Sequence, residues 1–355
     1  MRGLNLPSSE QVAWQLAHPE DNLSNSTVTA CAVSSALATV FLILRAWSKR
    51  LLYGRLRLEV NDWLCFTAWA LFISSESLLA VSTRYGFGRH VAFVTNPRML
   101  QILSLVIENL YALEIALLKL SILSLYQQLF KQHKLFYRAT WIVGFFVASL
   151  GIWVILATNL QCIPIAATWD PTIDAYCIRY GLSALLAYIV NIVIDLVILA
   201  MPIPCVLKLK LSAHRKRMLM LTFATGGGAC IVSIVQLRFI THLGSTSDPS
   251  WDNAPIGIVS SIEVMIGILA VSIATYRPLY GHFFGVKSAS KISSHTNGES
   301  VGDPYAKNFY TAQVSADTRF HSPITSHSGI TATDQVELVR HINQNGQWIR
   351  IDDDL

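Results

Sequence analysis

Apolar blocks of about 20 residues recur seven times along this chain, at roughly 27–46, 62–84, 101–128, 139–160, 181–204, 218–242 and 256–278. That recurrence constrains the fold more than any other feature. A bilayer core about 30 Å thick takes about 20 helical residues to cross. Lipid offers backbone N–H and C=O groups no partner, so each block must satisfy them within a helix. Composition agrees: 14% of the residues are charged, where soluble domains average roughly 25%. The expectation is an all-α polytopic membrane protein, multi-pass in the plasma membrane or an endomembrane. It comprises a short N-terminal tail (1–26), a seven-transmembrane helix bundle (27–280) and a C-terminal tail (281–355).

Lys and Arg beside the blocks set the orientation. The first, third and fifth connections hold thirteen of them: Arg45, Lys49, Arg50, Arg55, Arg57, Lys131, Lys134, Arg138, Lys208, Lys210, Arg215, Lys216 and Arg217. The other connections hold four, Arg84, Arg89, Arg98 and Arg179. The positive-inside rule then predicts the N-terminus outside and the C-terminus cytosolic. On the same grounds the basic run "KLKLSAHRKR" at 208–217 reads as a membrane-edge anchor, and no nucleic-acid partner is expected. Residues 1–26 lack the apolar core of a cleaved signal, so the first span is expected to direct insertion.

Two features fall in the segments expected outside. Asn22 and Asn25 each head an N-x-S/T sequon, the signature of glycosylation. Cys162 and Cys177 share one loop, where an oxidising compartment permits a disulfide. From Gly285 onward the chain is rich in Ser, Thr, Asn and His without helical periodicity, which predicts a disordered C-terminal tail. Its end, "GQWIRIDDDL", reads as solvated tail rather than a docking strand.

The third block carries Glu108, Glu114 and Lys119. Other blocks add Glu76, Asn191, Asp195, Arg238 and Glu263. A charge at the centre of a membrane helix costs at least about 2.5–3.5 kcal/mol on insertion scales. Interhelical polar contacts return only about 0.6 kcal/mol on average, so structural pairing alone accounts poorly for the set. At about 100° per residue, Glu108 and Lys119 share a face of their helix, while Glu114 projects about 120° away toward another neighbour. A polar cavity is therefore expected. Glu76, Glu108, Glu263 and Arg238 would form its outer part, and Lys119 with Asp195 and Asn191 its inner part.

A series of short motifs recurs in order across 27–285: "NDWL" (61–64), "YGFGRHV" (85–91), "LLKLSILSLYQQLF" (117–130), "CIPIAATWD" (162–170), "NIVID" (191–195), "MPIPCVLKLKL" (201–211), Arg238, Glu263 and "RPL" (277–279). In these the chain resembles the fungal rhodopsin-like seven-helix membrane proteins. The resemblance implies a seven-helix fold and either a surface-receptor role or a role beside toxin biosynthesis. Family members often carry two acids where this chain has Asn61-Asp62, and the cysteine-rich outer module of some receptor members is missing. Retinal is not expected despite the family's name, because a Schiff base needs a lysine on the seventh helix and 256–280 contain none.

No metal pattern, nucleophile elbow or phosphate loop is present, so no cofactor is expected; the "GGG" at 226–228 reads as a packing or bending element. Three functions remain open. A receptor-like binder would hold a small amphipathic metabolite in the cavity and engage a cytosolic signalling protein through its basic loops and tail. A membrane-embedded enzyme or accessory protein of secondary metabolism would use Glu108 and Glu263 as acid and base. A transporter is the third, without visible inverted repeats.

Overall fold

The computed structural model describes residues 8–53, 58–130, 134–170, 172–204, 213–241, 247–273, 275–276, 340–344 and 347–351 of the 355. Among the described residues eight α-helices run in chain order: α1 Ser9–Ala17, α2 Ser24–Tyr53, α3 Val60–Ser82, α4 Pro97–Leu129, α5 Lys134–Asn159, α6 Tyr180–Ala200, α7 Ala213–Ile240 and α8 Pro249–Ile273. Each of the seven apolar blocks overlaps one of α2 to α8. Six of these, α2 to α6 and α8, are long and apolar enough to cross a membrane; the apolar helix described within α7, Ala224–Ile240, is shorter.

Helix ends follow local chemistry. Asn96 accepts a hydrogen bond from the Met99 N–H at 3.1 Å, and Pro97 opens α4, where its missing N–H costs nothing. The first helix is one the sequence reading missed. Ser8 Oγ accepts from Gln11 N at 3.2 Å while Gln11 Oε1 accepts from Ser8 N at 2.9 Å, a reciprocal cap that starts α1 inside the expected N-terminal tail.

Each of α2 to α8 packs on the next, and α8 closes the ring against α2. Helix α4 also touches α8, so it contacts α3, α5 and α8, while α8 itself contacts α2, α3, α4 and α7. Fully buried small residues, Ala38, Cys65, Ala68 and Ala254, let neighbouring helices approach closely. Phe72, Leu118, Val264 and Ile268 share one core with Ala38, Cys65 and Ala68, and Ala254 packs in another with Leu79, Phe87 and Leu100. Outward, Trp141, Ile142, Phe145 and Phe146 on α5 are each at least half exposed. Such a belt is tolerable against lipid tails and costly in water. Of the glycine run, only Gly226 meets a close neighbour, Leu199 Cδ1 at 3.0 Å from where a Cβ would sit; the others have open space.

Alternation of the helices puts α1, the start of α2 and the α5–α6 loop at one end, called the α1 end below. There β1 (Cys162–Ile163) pairs antiparallel with β2 (Tyr176–Cys177), and Cys162 is disulfide-bonded to Cys177. The second compact unit contains an antiparallel hairpin, β3 (Arg340–Gln344) with β4 (Gln347–Ile351). The described residues are otherwise mostly helical, and this hairpin falls in the tail expected to lack structure. Ile342 and Ile349 are register partners, but a five-residue strand carries too little alternation for periodicity to register. The rest of the C-terminal tail, and Arg55, Arg57, Lys131, Lys208 and Lys210, lie outside the described residues.

Candidate functional site

Helices α3 to α8 enclose a cavity of about 210 Å³. Glu76 of α3 and Glu108 and Glu114 of α4 line it, together with three tyrosines, Tyr111, Tyr180 and Tyr188. The remaining wall is mostly aliphatic and aromatic. Trp153 of α5 belongs to this lining and is also 58% exposed, so the cavity wall reaches the lipid-facing surface.

The carboxylates differ in how far they are satisfied. Tyr180 donates its hydroxyl to Glu108 Oε2 at 2.7 Å. Ser34 reaches Glu76 Oε2 at 3.4 Å, a long contact. Glu114 is 1% exposed and its Oε1 has no hydrogen-bond partner. Buried polar atoms are nearly always paired, so that oxygen marks a place for a donor from outside the protein.

Lys119 lines the same cavity but is fully engaged. Its Nζ lies 2.8 Å from Asp195 Oδ1 and donates to Asn191 Oδ1 at 2.7 Å and Asn191 O at 3.1 Å. The expected inner grouping of Lys119, Asn191 and Asp195 is therefore assembled. Lys119 and Asp195 also line a second cavity of about 80 Å³, together with Glu263, Gly226 and Cys230. Glu263 is buried there, accepting from Ser233 Oγ at 2.6 Å and from the Tyr111 hydroxyl.

The expected outer grouping thus divides. Glu76 and Glu108 share the larger cavity, and Glu263 faces the smaller one. Arg238 joins neither: it is exposed on α7 and has no acidic partner among the described residues. Ser233 and Gln236 point α7's inner face into the bundle, and two further residues rotate Arg238 about 200° away. Glu114 differs in the opposite sense, lining the cavity it was expected to face away from. With neighbours α3, α5 and α8 on different sides, α4 turns a wide arc inward, so a 120° offset still lands inside.

Three groups escaped the sequence reading. The tyrosines are one; Tyr111 sits one turn after Glu108, and the helical phase used for the charges would have found it. A second is an ionic cluster at the end opposite α1. Arg45, only 1% exposed, donates to Asp62 Oδ1 from Nε at 3.0 Å and from Nη2 at 2.8 Å, and to Val271 O from Nη1 at 2.7 Å. Lys49 contacts the other Asp62 oxygen. Both cations had been counted as loop charges, yet α2 runs on to Tyr53 and carries them as helix residues.

The third group surrounds His90. It is buried, with Nδ1 2.6 Å from Asp248 Oδ2, between the rings of Trp14 and Trp251. Asp248 also accepts from Gln15 Nε2 and Val91 N, each at 2.9 Å. These contacts fasten α1 to the loop whose Phe87 lines the cavity and to the start of α8. The sequons lie nearby: Asn22 Oδ1 accepts from Ser24 N at 2.8 Å, Ser24 is buried, and Asn25 is exposed in the first turn of α2.

The family model for the fungal rhodopsin domain matches residues 44–282. The chain belongs to that family. With six apolar helices of spanning length, this fungal rhodopsin domain protein is a multi-pass membrane protein. It is similar to a SAT4 family membrane protein of Emericella nidulans, 30% identical over 61% of this chain and 56% of the relative. It also resembles the polyenoic acids biosynthesis gene cluster protein Ba17b of Metarhizium anisopliae, 28% identical over 70% of this chain and 71% of that one. A third relative is the receptor GIN3 of Arthrobotrys oligospora, 24% identical over 71% of this chain and 61% of that one. The match to the first of these spans little more than half of that relative's length.

Proposed function

We propose that this protein is a receptor-like membrane protein that binds a small amphipathic molecule in the larger cavity, independently of retinal. In this reading α2 to α8 all span the membrane, the α1 end faces outside or the lumen, and the opposite end meets a cytosolic partner. The observation that carries it is the cavity itself: apolar walls that reach the lipid face, with Glu76, Glu108 and Glu114 converging inside. Apolar pockets with a few convergent polar groups are the usual form of a small-molecule site. A receptor among the relatives supports the same class.

An embedded enzyme is the second reading, supported by the relative named for a biosynthesis gene cluster. Geometry favours it less. Glu108 and Glu263 do not face one cavity, and Glu263 already accepts from Ser233 and Tyr111.

The test is native mass spectrometry of the full chain purified from its own membranes, beside an Ala184→Phe variant that fills the cavity. The expected result is a small molecule retained by wild type, lost from the variant and released unchanged in mass. A released molecule that differs from the one supplied would favour the enzyme. Absence of any bound molecule in wild type would refute a ligand site.

A further inference from the structure

We infer that the ligand of the larger cavity is an organic cation, a protonated amine on an aromatic or aliphatic body; this rests on the ligand-binding reading above. Among the described residues the lining holds three carboxylates and one cation, and that cation, Lys119, is engaged by Asp195 and Asn191. An anionic ligand would meet three carboxylates and no free positive group.

The carboxylates also need what an ammonium supplies. Glu114 has Ser75 as a partner but its Oε1 is buried without a donor, Glu76 has Ser34, Ser261 and Cys31 around it, and Glu108 Oε2 takes one hydroxyl. An ammonium brings three N–H donors and a charge, and charge-assisted hydrogen bonds are roughly twice as strong as neutral ones. A neutral alcohol supplies a single O–H donor and no charge.

The rest of the ligand follows from the walls. Tyr111 and Tyr188 stack with ring centroids 6.5 Å apart, and Phe72 and Phe87 add further aromatic surface. Aromatic faces attract cations and accommodate flat apolar bodies. The volume, about 210 Å³, equals on the order of seven waters at about 30 Å³ each. That suits a one- or two-ring amine, which can partition into lipid as the neutral base and reach the wall at Trp153.

The experiment compares three probes that share an indole body: tryptamine, tryptophol and indole-3-acetate. Binding is measured by equilibrium dialysis on the full chain in nanodiscs. Tryptamine is expected to bind saturably, at least about tenfold tighter than tryptophol, with no competition from indole-3-acetate. Glu114→Gln should weaken tryptamine about tenfold or more while leaving tryptophol within about twofold. Thermal unfolding without probe identifies whether that variant is folded, and Glu108→Gln serves as the second variant. Equal or tighter binding of tryptophol or indole-3-acetate would overturn the amine and leave a ligand site standing. So would failure of all three probes while native mass spectrometry still finds a bound molecule.

Discussion

Replacing Asp62 by Asn should be among the most damaging single changes outside the cavity. Asp62 is 1% exposed and faces two cations that are themselves buried, Arg45 and Lys49 at 1% and 8% side-chain exposure. Asn is nearly isosteric and still offers one oxygen to the Glu59 N–H, now 2.8 Å from Asp62 Oδ2. What it removes is the charge under two bonds from Arg45 and one from Lys49. Hydrogen bonds to charged groups contribute about 1.5–3 kcal/mol each, and stranding a buried ion costs about 3–5 kcal/mol. Lys49 keeps a partner in Glu59 at 3.4 Å, but that carboxylate is 37% exposed and screened. The expected loss is therefore about 3 kcal/mol or more, read as unfolding free energy in a mixed-micelle SDS titration. Ser121→Ala, which removes one bond to Asn61 O at 2.7 Å, is the comparison and should cost about 0.6 kcal/mol. Adding Lys49→Met to Asp62→Asn removes one stranded cation and should recover about 1 kcal/mol. An Asp62→Asn loss no larger than that of Ser121→Ala would refute the buried-ion argument.

Gly88→Ala should destabilise the α1 end by more than about 1 kcal/mol, seen as a lowered melting temperature. Gly88 has φ of 80°, and an added Cβ would lie 2.9 Å from Ser24 N and 3.1 Å from the Leu23 carbonyl carbon, both backbone atoms. Replacing Cys162 and Cys177 together by Ser should cost about 3 kcal/mol in the chain-entropy account of a 15-residue separation. Non-reducing peptide mapping of wild type should recover the linked pair. Lys119→Met and Asp195→Asn should be non-additive: the double variant should be more stable than the summed single losses imply by about 0.5–3 kcal/mol. A thermodynamic cycle of the four proteins would return zero coupling if the 2.8 Å ion pair contributes nothing.

The charged residues inside the bundle were legible from one dimension because lipid makes them conspicuous. Glu76, Glu108, Lys119 and Asp195 stood out against apolar blocks, and helical phase related Glu108 to Lys119. The tyrosines did not stand out, since Tyr is at home at membrane interfaces and in cores alike. Arg45 was misplaced for a related reason: a cation near a block's end looks like a loop anchor until the length of α2 is known. Asp248, His90 and Gln15 were hidden by separation, the hydrogen bonds joining them spanning 158 and 233 residues.

By itself, then, the sequence determined that the chain is helical and membrane-borne, where each apolar block lies, and which ionisable groups are carried into the bundle. Those properties follow from one solvent acting on each segment separately. Only the tertiary structure decided that Glu114 joins Glu76 and Glu108 in one cavity, that Glu263 belongs to another and that Arg238 belongs to neither. Hydropathy and helical phase describe a helix about its own axis. Which arc of that helix meets a neighbour depends on how side chains pack across the whole ring, and α4 packs against α8, a helix more than a hundred residues further along the chain.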